Sequence, residues 1–267
     1  MTGAVASRPL IGPFKLNTAT RAIASFTVIF IILEVVTRTV YADSFYLPPA
    51  STIVMQTVLL LVREDFIFHV ASTLQASALG LTLTTVIAVP IGILLGASKV
   101  AYEGSRAIIE FVRPVPSAAL IPLAVLIFGT GTQMKVALVI TAAVWPILFN
   151  TIYGVHSVDP VLKQTARTLG LSKFRLLTDV SLPSAAPFIY TGIKISVGLA
   201  VIVTISSELL SGSQQGLGVW LLLVQQTGSA PALLYAGTIV TGMIGWLFNW
   251  LLTVGERRLF AWQQGGV

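Results

Sequence analysis

Six apolar stretches organise the chain, at about 22–41, 70–97, 114–129, 135–156, 187–210 and 232–254, with short polar spacers between them. A helix needs about 20 apolar residues to cross ~30 Å of hydrocarbon, fewer where protein shields it. The third stretch is short and opens with Pro114 and Pro116, which predicts a helix packed at a slant inside the bundle. The first could pass for a cleaved signal segment, but Glu34 interrupts it and further spans follow, so a retained helix is expected. Between the last two stretches, "SGSQQGLGVWLLLVQQTGSAP" predicts a short re-entrant or interfacial helix near 217–226, bounded by glycines and Pro231. No spacer is long enough for a separate soluble domain. The pattern predicts an all-α integral membrane protein of about six transmembrane helices. Residues 1–21 form an N-terminal segment, 22–258 a single membrane domain and 259–267 a tail.

Composition agrees: 55% of residues are hydrophobic and 10% charged, against about a quarter charged in soluble domains. Cysteine is absent, which excludes disulfides and thiolate metal sites. The net charge of +6 raises the question of nucleic acid, and its distribution answers it. Segments 1–21, 98–113, 157–186 and 255–267 carry twelve of the 16 Lys and Arg residues. Positive charge gathers on the cytoplasmic side of membrane proteins, so both termini are expected there. The basic excess is topology, the partner it implies is the lipid bilayer, and nucleic-acid binding is not needed.

Small residues recur every fourth position at Gly80, Thr84, Ala88, Gly92 and Gly96, at Gly192, Ser196, Ala200 and Thr204, and at Gly237, Thr241 and Gly245. Such stripes let helix backbones approach in lipid; packing within the chain is the first expectation, with room for a subunit contact. Catalytic patterns are missing: there is no G-x-x-x-x-G-K-[ST] phosphate loop, and His69 and His156 lack metal-ligand spacing. No cofactor is implied.

Ionisable residues inside spans are costly and point to function. Glu34, Lys194 and Glu208 qualify. Lys194 and Glu208 lie ~21 Å apart along one helix and about 40° apart around it, with Thr204 and Ser211 on the same face. Either the two reach opposite interfaces independently, or the four line a water-filled translocation pathway. In a pathway for an anion, Glu208 would be protonated, paired with a donor or set back as a gate, and Glu208→Gln would be tolerated.

The spacer "DPVLKQTARTLGLSKFRLLTDVSLP", 159–183, carries four basic residues between 163 and 175. Asp159 suits an N-cap and Pro160 the first helical position. Leu162, Ala166 and Leu169 share an apolar face, Lys163 and Arg167 stand at i and i+4, and Gly170 is a left-handed stop. Ser172 can cap a second turn bearing Lys173, Phe174, Arg175 and Leu177; Pro183 should end it and Pro187 open the fifth span. By itself, this could be an amphipathic helix on anionic headgroups.

Its spacing resembles the EAA loop of binding-protein-dependent ABC importer permeases. Ala166, Gly170, Leu182 and Pro183 match that pattern, while Gln164 and Thr165 replace its usual Glu-Ala and drop a charge. The likeness spans roughly 66–258, through "FVRPVPSAALIPLAVLIFGTG", "FNTIYGVHSVDP" and "SSELLSGSQQGLGVWL", and is most similar to the nitrate/sulfonate/taurine branch. The resemblance implies a type I importer permease of the bacterial inner membrane, with no chemistry of its own. Two copies would pair with a cytoplasmic ATPase dimer and an extracytoplasmic substrate-binding protein. The handle would be the coupling helix, using Lys163, Gln164, Ala166, Arg167, Leu169, Gly170, Leu182 and Pro183. The implied cargo is a small anion such as nitrate, a sulfonate, taurine or bicarbonate; related permeases carry pyrimidine vitamin precursors. A secondary transporter or channel, with Lys194–Glu208 as its ion path, is the competing class.

Overall fold

The computed structural model describes residues 18–42, 44–228 and 230–261, all helix and connecting turns. The N-terminal segment through residue 17, with Arg8 and Lys15, and the tail beyond 261 lie outside the described residues. In order, the helices are α1 (Thr18–Thr39), α2 (Ala50–Leu60), α3 (Glu64–Ala97), α4 (Lys99–Val112), α5 (Ile121–Phe128) and α6 (Thr132–His156). They continue as α7 (Pro160–Thr168), α8 (Lys173–Arg175), α9 (Leu182–Ser211), α10 (Leu217–Thr227) and α11 (Pro231–Leu259). Four long helices, α1, α3, α6 and α11, are apolar enough to cross a membrane, as is the continuous stretch Lys173–Ser211 that contains α9.

The sixth span is built differently from the expected slanted helix at 114–129. The spacer 98–113 is itself helical, as α4, and meets the segment Ser117–Phe128 at a 74° bend. Pro114 and Pro116 mark the break: each lacks a backbone N–H to continue a helical ladder, although Arg113 before the first keeps helical dihedrals. At 1.5 Å per residue, Ser117–Phe128 alone covers only about 18 Å; with α4 it forms a bent pair that together is long and apolar enough for one crossing. Outward-facing ion pairs Lys99–Glu103 and Arg106–Glu110 hold α4 in a polar setting.

The small-residue stripes determine the centre of the bundle. A Cβ at Gly80 would lie 2.6 Å from Val139, at Gly92 2.6 Å from Thr151, and at Gly96 2.8 Å from Val155. The paired numbers rise together, so α3 and α6 run parallel, in keeping with two spans that cross in the same sense. A Cβ at Gly192 would lie 2.8 Å from the Pro146 carbonyl, and one at Gly154 would press on Ala185 and Phe188; α9 is therefore antiparallel to α6. Ser196 Oγ donates to the Ala143 carbonyl at 2.9 Å along the same seam. The second- and fifth-span stripes are thus spent inside the chain, α6 being the helix both grip. Gly237 on α11 is spent the same way, against Trp220 and Leu221 of α10.

Around the α3–α6–α9 layer, α11 and α2 close one side through a core of Leu60, Phe66, Val201, Ile205, Leu217, Trp220, Ala236 and Val240. The interfacial helix expected near 217–226 is α10, seated on this core with Trp220 edge-on to Phe66 at 4.7 Å between centroids. Helix α1 stands apart, nearly all of its apolar surface exposed. Its tie to the bundle is Glu34, whose carboxylate accepts from Ser51 N and Ser51 Oγ at 2.8 Å each, and from Arg38 Nε at 2.5 Å. Ser51 is in the first turn of α2, where backbone N–H groups lack helical partners. The span-embedded Glu34 is therefore an inter-helix cap.

Candidate functional site

Two polar assemblies occupy opposite ends of the α6–α9 pair. At one end is the basic handle. Asp159 caps α7 by accepting from Val161 N at 2.8 Å. Leu171 N donates to the Ala166 carbonyl at 3.1 Å and Gly170 N to Arg167 at 2.9 Å. This pair of bonds is the Schellman stop, and it needs a left-handed residue, supplied by Gly170 at φ +81°. Ser172 then caps the next turn through Arg175 N at 3.3 Å.

Beyond α8 the structure departs from expectation. Pro183 does not end the handle, nor does Pro187 open the span. A π-helical segment, Leu176–Ser181, carries the chain without interruption into α9, with Pro183 in its first turn and Pro187 inside it. The chain stays helical through both prolines from Lys173 to Ser211, so α8 and the fifth span form one continuous lever. Of the proposed apolar face only Ala166 is buried; Leu162 is 47% exposed and Leu169 and Phe174 are each 74% exposed. Gln164 and Arg167 are exposed, and Lys163 reaches back to the Val155 carbonyl at 3.1 Å. Leu182 is half-buried and Pro183 exposed at the root of the lever.

At the other end, the structure assembles a site around Glu208. Its carboxylate is fully buried and accepts from Lys135 Nζ at 2.7 Å, Thr73 Oγ1 at 2.9 Å and Gly218 N at 2.9 Å. Lys135 Nζ also donates to the Gln215 carbonyl at 2.6 Å. Thr73 Oγ1 accepts from Leu217 N at 2.7 Å, and His69 Nδ1 from Gly216 N at 3.1 Å. Below them Ser77 Oγ donates to Thr204 Oγ1 at 2.9 Å. The first free N–H groups of α10 are thus satisfied by a carboxylate, a threonine and a histidine from other elements, and the carboxylate also complements the positive helix end. One ion pair ties α3, α6, α9 and α10 together.

The four proposed pathway residues are not one group. Lys194 pairs with Glu256 of α11 at 2.9 Å. Thr204 and Glu208 are sealed inside the protomer, and Ser211 Oγ lies 2.8 Å from Ser213 Oγ. Lys135, a residue not singled out from the sequence, is 2% exposed and is the partner of Glu208. Its signal was there: a lysine at the head of the apolar stretch 135–156, and a glutamate followed eight and ten residues later by glycines. Linking them requires knowing that α6 and α9 are neighbours. His69 and His156 are boundary residues of other kinds, the former holding Gly216 N and the latter edge-on to Tyr102. Among the described residues no three His, Asp or Glu side chains gather as a metal site.

A bundle of parallel and antiparallel helices, five of its helical stretches long and apolar enough to cross a membrane, with a basic lever at one end, defines a multi-pass membrane protein. Residues 88–261 match the family described as "Binding-protein-dependent transport system inner membrane component". The taurine transport system permease protein of Escherichia coli strain K12 is 30% identical over 91% of this chain and 90% of its own. The nitrate import permease protein of Leptolyngbya laminosa is 29% identical over 71% of this chain and 67% of its own. Among solved structures, the inward-facing MetNI methionine ABC transporter aligns with a TM-score of 0.63 at 20% identity, covering 75% of this chain and 96% of that one. The chain belongs to the binding-protein-dependent transport system inner membrane component family and is a permease of an ABC importer.

Proposed function

We propose that this permease carries a small oxyanion-bearing solute inward, driven by a cytoplasmic ATPase that grips the handle at 159–175. The observation that carries this reading is the exposure of Leu162, Leu169 and Phe174 on an element that caps and a Schellman stop make rigid. Apolar side chains flanked by Arg167, Lys173 and Arg175 fit a hydrophobic groove with an acidic rim, where charge sets orientation and apolar burial supplies affinity. Because α8 runs into α9 without a break, a push on the handle tilts the helix bearing Glu208 at its far end. Two permease copies, two ATPase subunits and an external binding protein complete the assembly, with both termini cytoplasmic. The solute class rests on the taurine and nitrate relatives, whose named cargoes each present anionic oxygens.

Gly170→Val and Arg167→Glu should each uncouple ATP hydrolysis from uptake while the permease still inserts. Valine resists φ +81°, and a carboxylate reverses the rim contact. Capture of the ATPase by tagged permease should fall roughly tenfold, the equivalent of about 1.4 kcal/mol. Undiminished capture in both variants would leave the handle as a lipid-facing helix.

Sidedness has its own measurement. Gln214 and Ser172 are exposed at opposite ends of the bundle, and the native chain has no cysteine. In intact cells an impermeant thiol reagent should label Gln214→Cys and spare Ser172→Cys until the membrane is opened. Labelling of both from outside contradicts the topology.

A further inference from the structure

Beside the buried ion pair lies a cavity of about 330 Å³ lined by Ser72, Thr130, Thr132, Lys135, Gln214 and Gln215. We propose that this cavity is a binding site for a small oxyanion, held by the Lys135 ammonium and the hydroxyls and amides around it. The identity of the ligand as cargo rests on the importer reading; the binding itself does not.

Three observations point to an anion. Among the described residues no carboxylate lines the cavity; Glu208 is sealed behind Lys135 at 0% exposure. An ammonium has three donors, and Lys135 spends two, on Glu208 at 2.7 Å and the Gln215 carbonyl at 2.6 Å. The third remains for whatever fills the cavity, from a side chain 3% exposed. Two carbonyls that would repel an anion are also occupied: Lys135 takes that of Gln215, and Ser213 Oγ takes that of Thr130 at 2.9 Å. The side chains of Ser72, Thr130, Thr132, Gln214 and Gln215 are left to serve water or ligand.

Glu208 also sets the strength of the site. It balances the charge of Lys135, so an incoming anion meets a polarised neutral pair and not a free cation. Binding through oriented donors at a neutral site is weak and reversible, as a passage requires, since a tightly held ion would not leave. A trigonal or tetrahedral oxyanion can accept from the ammonium and from the hydroxyls and amides at once, which a single spherical ion does less well.

The test uses the full-length permease in lipid nanodiscs, titrated with nitrate, methanesulfonate or chloride at fixed ionic strength, with the thermal unfolding midpoint as readout; a ligand that binds only the folded state raises it saturably. Nitrate and methanesulfonate should raise the midpoint and chloride should not. Removing Lys135 would strip Glu208 of its partner, so the informative change is Thr132→Asp, in the first turn of α6, where a carboxylate suits the helix end. It should weaken the apparent nitrate affinity roughly tenfold by like-charge repulsion, whereas the neutral Thr132→Asn, which puts an amide donor where the hydroxyl was, should lose clearly less. No saturable response in the parent, an equal response to chloride, or equal behaviour of the two variants overturns the proposal. ATPase capture at the opposite face reports separately: capture without anion binding rejects this site alone, and anion binding without capture rejects the importer arrangement alone.

Discussion

Glu208→Ala should cost the folded permease about 3–5 kcal/mol, because it leaves the Lys135 ammonium buried without a counter-charge. Lys135→Met should cost a similar amount for the converse reason. Glu208 is 0% exposed, and any water reaching Lys135 from the cavity beside it supplies hydrogen bonds but no counter-charge. Glu208→Gln, which the sequence leads one to expect is tolerated, also leaves the ammonium unneutralised and belongs with the damaging changes. The double variant Lys135→Met/Glu208→Gln should recover most of the loss: it removes both charges but keeps an oxygen for Thr73 and for Gly218 N, now 2.9 Å from the carboxylate. The measurement is the fraction of monodisperse permease surviving a temperature series in detergent, read as a double-mutant cycle. Additive single losses, with the double worse than either, would show that the pair is not a unit.

Gly216→Ala should undock α10. The residue sits at φ +134°, a region L side chains rarely adopt, and an added Cβ would overlap the Glu208 carboxylate. Neither partner can yield, since the carboxylate is pinned by donors from α3, α6 and α10. Undocking would uncover Val219, which is 7% exposed. A cysteine at 219 should therefore change from inert to readily labelled when Gly216→Ala is added, and solute uptake should fall roughly tenfold or more for a site misplaced by an ångström or so. Gly104→Ala, where a Cβ meets nothing within 4 Å, is the matched control and should behave as the parent. Equal protection of residue 219 in both backgrounds would mean that α10 tolerates the side chain.

Much of the architecture is legible in the linear pattern. Long apolar runs locate four of the long helices and most of the lever because a helix is the way to hide backbone polar groups from lipid within one segment. The interfacial helix near 217–226 and the handle's caps, Asp159, Gly170 and Ser172, are local: each needs only residues a few positions away. The third stretch is helical over Ser117–Phe128, but periodicity carries no angle: two prolines mark a break, and only packing decides that α4 lies at 74° to it. The handle's second boundary failed similarly. Pro183 and Pro187 signal an end or a beginning equally well, and the π-helical segment that makes them internal to the lever depends on its packing against α7 and the root of α9.

By itself, then, the sequence determined most of the long apolar helices, which loops carry the positive charge, where the basic handle starts and where its first helix stops, and the family to which the chain belongs. These follow from transfer free energy and short-range hydrogen bonding, which depend on neighbours in the chain. The tertiary structure alone decided which small-residue stripes are consumed by α6, that Lys194 belongs to Glu256, and that Lys135 and Glu208, 73 positions apart, close around the start of α10. An isolated lysine or glutamate in an apolar run has several possible partners, and low-dielectric burial makes the choice among them energetically large. That choice is made by helix adjacency, which depends on how glycines on α3 and α9 let three backbones approach.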